Sequence, residues 1–252
     1  MNGKISNFEQ IASIRRYTIT DGRGKGLDVI DCDNGKIRFL LNVSHALDVM
    51  QLYHKGQNVS FISKNAFTDK EWDFVRRFEG GMLYTCGLDS LGRREGHTLH
   101  GNFHTTPACV TRAECNEHGI TVEATIRQTS LFGECLVMRR RITAKTGENT
   151  LTLEDDLTNE GYRDEDYALL YHINVGYPML DEGARIVCNA TEIKPCNDWA
   201  RENMPTVYSI SDSVDNMEET CYHLTLATPE ISLVNEKLGI YKRNYCRSTW
   251  FF

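Results

Sequence analysis

The chain has 252 residues and a mass of 28.8 kDa, a length that one all-β domain or two smaller domains can fill. Hydrophobic residues make up 40% and charged residues 25%, which excludes disordered, collagen-like and coiled-coil classes. Asp and Glu total 35 against 28 Lys and Arg, a net charge of −7, so the expected partners include neither nucleic acid nor a membrane surface.

No apolar run approaches the roughly 18 residues of a membrane span. The opening MNGKISNFEQIASIRRY lacks an apolar core of signal-peptide length, so the expected location is cytoplasmic. The nine cysteines are odd in number and form no CxxC pair, which argues against a disulfide framework or a thiolate zinc site and for reduced core thiols. Sequons at Asn42, Asn58 and Asn189 carry no weight without a secretory signal.

In chain order, Gly22, Gly24 and Gly26 lie in a glycine-rich run that feeds a strand. A phosphate loop needs GxxxxGK[ST] feeding a helix, so this run reads as a flexible turn. Residues 27–32 and 36–40 are apolar-rich runs joined through Asn34-Gly35, the strongest short-range hairpin signal. Residues 65–78 read as a helix, with Phe67, Glu71, Phe74 and Phe78 at i, i+4, i+7 and i+11. Ile120, Val122, Ala124 and Ile126 alternate with polar residues as a half-buried strand. Residues 136–142 and 151–157 form another hairpin, with Leu151, Leu153 and Leu157 on one face. Turns at this spacing favour an all-β sandwich or barrel. Without a linker or repeat, residues 1–252 read as a single domain.

Two clusters carry candidate chemistry. Residues 95–104 include His97, His100 and His104, three of the eight histidines. Read as a strand, His100, Asn102 and His104 face one way and His97 the other. They can converge on a pocket, with metal ligation and ordinary hydrogen-bonded histidines as competing readings. Later, His172 and Asn174 interrupt the apolar run 169–175 on one face; burying either unpaired costs about 1–3 kcal/mol. Tyr171, Tyr177 and Trp199 add aromatic surface that suits a sugar ring or a core equally.

Several segments in this order carry a resemblance: HALDV with Asp48, FEGGMLYTCGLD over 78–89, LHG over 99–101 with TPA over 106–108, LFGE over 131–134, and LYHINVGYPMLDEG over 170–183. Together they resemble the galactose mutarotase (aldose 1-epimerase) superfamily, and within it a bacterial branch catalogued as a domain of unknown function. The likeness runs from about Tyr17 to Asn235. It implies a β-supersandwich with a sugar cleft on a concave sheet face. It also implies that His100 holds and polarises the sugar, that His172 protonates the ring oxygen, and that a glutamate near the C-terminus takes the anomeric proton. Imidazole, with a reference pKa of about 6.5, suits acid and base work at neutral pH.

The chain departs from the branch pattern at His45 and Asn102, where arginines are usual. The Leu-Glu-Pro strand that supplies the glutamate lies beyond residues 244–252, and Glu95, Asp181 and Glu182 are the substitutes considered. The expectation is therefore a mutarotase-like all-β domain that stops before its C-terminal strands. Its partner is a small-molecule sugar, with His100 and His172 catalytic and Asp48, Asn102, His104, Asn174 and Tyr177 binding substrate. No cofactor and no metal ligand is assigned. A catalytically silent carbohydrate-binding protein and a metal-dependent sugar isomerase are the alternatives.

Overall fold

A computed structural model describes residues 3–70 and 73–246. The chain forms two compact units, residues 1–175 and 176–252. All paired strands are antiparallel, and no helix among the described residues is long and apolar enough to cross a membrane.

The first unit contains three sheets. One has the order β1 (Ser13–Thr18), β2 (Asp28–Asp33), β3 (Ile37–Asn42), β4 (Asp48–His54) and β5 (Gln57–Asn58). Its hairpin β2–β3 turns at Asn34-Gly35 as the sequence indicates, but β1 precedes it on the edge. The Arg15, Arg16 and Tyr17 side chains keep that edge polar, which discourages pairing with another chain. Asn34 is fully buried and closes the turn. Its Oδ1 accepts from the Lys36 and Ile37 amides at 2.9 Å, and its Nδ2 donates to the Lys145 and Glu148 carbonyls at 2.8 and 2.9 Å. The turn is thereby tied to the distant loop at 145–148.

After β6 (Leu83–Leu88), the second sheet runs β7 (Cys109–Asn116), β8 (Gly119–Thr129), β9 (Cys135–Ala144) and β10 (Thr152–Asn159), each beside the next. In β8, Ile120, Val122, Ala124 and Ile126 are buried in alternation. In β9, Leu136, Met138, Arg140, Ile142 and Ala144 take the inward positions. β11 (Ala168–Ile173) pairs with β6 to form the third sheet, placing His172 opposite Tyr84 and Tyr171 opposite Thr85. Every residue of β6 is buried.

The helix expected over 65–78 is corrected. Only α1 (Phe74–Arg77) is helical, capped by Asp73, whose side chain accepts from the Arg76 amide. Glu71 lies outside the described residues. Asn65 donates from its side chain to the Val75 and Phe78 carbonyls at 3.0 Å, stabilising a turn that competes with helix. The spaced phenylalanines serve two places, since Phe67 packs against Leu27, Val29, Leu40 and Met50 while Phe74 and Phe78 meet Tyr84.

The second unit is a sheet of β12 (Arg185–Pro195), β13 (Tyr222–Asn235) and β14 (Ile240–Tyr245), with α2 (Asp198–Glu202) in the connection between β12 and β13. Asn197 caps α2 through the Ala200 amide at 2.7 Å.

Candidate functional site

The site grows from the loop between β6 and β7. Residues 95–104 do not form a strand, so the expected alternation of 100, 102 and 104 fails. Gly96, His100 and Gly101 all have positive φ, and Phe103–Thr105 is one turn of 3-10 helix. At Gly101, φ is 74° and a Cβ would strike the Gly87 carbonyl and the Asp89 carboxylate. Only glycine allows this approach, and it lets the Gly87 amide donate to the His100 carbonyl at 2.9 Å. The histidine is thus held at the end of β6.

His100 Nδ1 accepts from the Gly92 amide at 3.3 Å, so its neutral ring carries the proton on Nε2. The ring meets the edge of His172, with centroids 5.9 Å apart at 71°. Phe74 stands 5.5 Å from His100, and Phe78 stands 5.8 Å from His172 and 5.0 Å from Phe74. Two histidines from separate segments therefore share an aromatic wall. His172 Nδ1 is buried with no hydrogen-bond partner among the described residues. A cleft of about 550 Å³ opens beside Phe74, lined also by Asp73, Arg93, His97 and Thr98. Its His97 Nδ1 lies 3.2 Å from Asp89 Oδ2.

Beneath the wall lies a buried polar chain. Tyr84 stacks on His104, centroids 3.7 Å apart at 16°. His104 Nδ1 lies 2.7 Å from Asp48 Oδ2 and its Nε2 lies 3.2 Å from Glu79 Oε1, which also meets His45 Nδ1 at 3.2 Å. Arg140 reaches Asp48 at 2.6 Å and Asp155 at 2.8 Å, and the Tyr171 hydroxyl donates to Asp155 at 2.7 Å.

Burial opposes charge on His104, but the hydrogen bonds to Asp48 and Glu79 overcome it and raise its pKa to about 8. Burial likewise works to raise the Glu79 pKa, and the two histidines outweigh it, bringing it down to about 2. Asp48 is also lowered, its burial outweighed by His104 and Arg140. Burial pushes the Tyr84 hydroxyl well above its usual range. His45, Glu79 and His104 place one donor atom each within 4.8 Å of one another, so they are the described residues with the geometry to hold a metal.

The residues singled out from sequence therefore separate. His100 and His172 meet in the aromatic wall. Asp48 and His104 bind each other beneath it. Asn102 is exposed at the start of the 3-10 turn, where its carbonyl accepts from the Thr105 hydroxyl at 2.8 Å. Asn174 is buried, with its Nδ2 donating to the His172 carbonyl at 3.1 Å and its own carbonyl accepting from the Phe61 amide. Tyr177 belongs to the second unit and is 76% exposed. Glu95 is exposed, while Asp181 and Glu182 lie in the second unit.

Glu79, Tyr84, Arg140 and Asp155 were not singled out. Arg140 and Asp155 had a signal, since each stands at a core-facing position of an alternating strand. Glu79 and Tyr84 had only their place in the family-like run 78–89.

Residues 24–240 match the family described as a domain of unknown function, DUF4432. Among curated proteins, none matches. Among solved structures, a candidate aldose 1-epimerase from Klebsiella pneumoniae superposes with a TM-score of 0.79 at 20% identity, over 90% of this chain and 65% of that one. A galactose mutarotase-like protein from Clostridium acetobutylicum gives 0.57 at 13% identity, over 75% and 62%. Galactose 1-epimerase from Lactobacillus acidophilus gives 0.58 at 14% identity, over 89% and 77%. The chain thus spans less than two thirds of the length of the first two. At these identities the likeness establishes the galactose mutarotase-like fold and no more.

Proposed function

The chain belongs to the DUF4432 family, and on that premise we propose that it acts on free sugars, interconverting aldose anomers by acid/base ring opening and closure. The observation that carries the reading is the meeting of His100 and His172 at 5.9 Å against Phe74 and Phe78. Apolar rings suit the C–H face of a pyranose and limit water around the transferring protons. In this reading His100 donates from Nε2 to a sugar oxygen, because Gly92 occupies its Nδ1, and His172 protonates the ring oxygen. His97, oriented by Asp89, takes the anomeric proton from the cleft side. Closure on the other face of the aldehyde returns both protons.

Polarimetry on freshly dissolved α-glucose and α-galactose tests the reading: the protein accelerates anomer equilibration, and His172→Asn loses at least about 100-fold, the low end for a positioned acid or base. A parent-like His172→Asn would remove His172 from the acid role. Sugar binding without acceleration would make the protein a catalytically silent carbohydrate binder.

A further inference from the structure

We propose that His45, Glu79 and His104 form a binding site for one divalent transition-metal cation of the zinc type. The proposal goes beyond the acid/base reading and does not depend on it.

Geometry is the first support. His45 Nδ1 and His104 Nε2 each lie 3.2 Å from Glu79 Oε1, with all three donors within 4.8 Å of one another. Ligands on a tetrahedral zinc stand about 3.4 Å apart, so the two carboxylate–imidazole spacings already match and the two imidazole nitrogens must draw together from at most 4.8 Å. Two imidazoles and one carboxylate are zinc donors, and three protein ligands leave a fourth position for water.

The surroundings of His104 are the second support. Asp48 holds its Nδ1 at 2.7 Å, which aims Nε2 at Glu79 and supplies the carboxylate behind a ligating histidine that metal sites commonly carry. Glu79 Oε2 accepts from the Thr68 amide at 3.4 Å, leaving Oε1 to face the imidazoles.

Charge is the third. Glu79, Asp48 and Asp155 belong to one buried hydrogen-bonded chain in which Arg140 is the only arginine among the described residues. A ligating histidine is neutral, so the cation takes the place of the proton on His104; the chain then carries three negative charges and one positive, and a dication brings it to neutrality, which burial favours strongly. Arg77, the other buried arginine, donates to the Gly101 carbonyl at 3.4 Å and has no ion pair among the described residues. The His45 side chain, 9% exposed, gives the cluster its contact with solvent.

The test uses the full chain dialysed against a chelator. Calorimetric titration with Zn²⁺ is expected to show one saturable site of micromolar or tighter affinity. Titration with Co²⁺ is expected to develop a visible band of tetrahedral intensity. His45→Gln weakens Zn²⁺ binding at least as much as the roughly 10-fold that loss of a supporting residue costs, whereas His118→Ala, at an exposed histidine, leaves it unchanged. Absence of saturable binding by the parent overturns the proposal without any variant. A folded His45→Gln protein that binds Zn²⁺ like the parent overturns it equally.

Discussion

Replacing Arg140 with methionine is expected to destabilise the first unit by about 3–5 kcal/mol, the range for breaking a buried ion pair from one side. The structure explains why the upper part of that range is appropriate. All five guanidinium N–H groups are used: Nε and Nη2 donate to Asp155 at 2.9 and 2.8 Å, Nη2 also to Thr85 Oγ1 at 3.0 Å, and Nη1 to Asp48 at 2.6 Å and the Ala46 carbonyl at 2.8 Å. The side chain thus joins β9 to β4, β6 and β10. Without it, Asp48 keeps Thr85 and His104, but among the described residues Asp155 keeps only the Tyr171 hydroxyl. Urea unfolding followed by circular dichroism measures the loss. Since whole domains are stable by about 5–15 kcal/mol, it shows as a large fall in the midpoint. The double variant Arg140→Met with Asp155→Leu recovers much of the loss, because no carboxylate is then orphaned at position 155. A single-variant loss below about 1 kcal/mol, the value of an exposed pair, would refute the claim that this network is dry.

In chelator-treated protein, His104 makes stability depend on pH between its unfolded value near 6.5 and its folded value of about 8. The contribution, about 2 kcal/mol, is complete below pH 6.5 and lost as pH rises through 8; His104→Gln flattens the urea midpoint across that window. Glu79 acts oppositely, its contribution present above about pH 4.5 and lost as pH falls toward 2. Gly101→Ala strains a residue at φ 74° and drives a methyl into the Gly87 carbonyl, so a loss exceeding about 1 kcal/mol is expected with displacement of His100. Thermal unfolding and polarimetry report the two effects. Asn34→Ala removes four hydrogen bonds from a fully buried side chain, among them the acceptor of the buried Ile37 amide, and is expected to cost about 2–4 kcal/mol in urea; an unchanged midpoint would show that water replaces the amide.

The strands were legible because their information is local. Alternation marks β8 and β9, and Asn34-Gly35 marks the turn between β2 and β3, since both depend on residues within a few positions of each other. The same alternation also placed Arg140 between Met138 and Ile142 and Asp155 between Leu153 and Leu157, which predicts two inward charges opposite each other. Spacing misled at 65–78, where Phe67 and Phe74 follow a helical period but pack into different places. It misled again at 95–104, where positive φ at three positions breaks any strand. The sequence by itself determined the strand periods and the hairpin turn, and through resemblance it singled out His100 and His172, whose rings meet in the structure. Only the tertiary structure decided that His104 lies under the wall with Asp48 and Glu79, and that Arg140 reaches Asp48 across 92 positions. Such contacts follow from strand packing, whose pairings no local window encodes, and they decide which polar side chains lose water and must find one another.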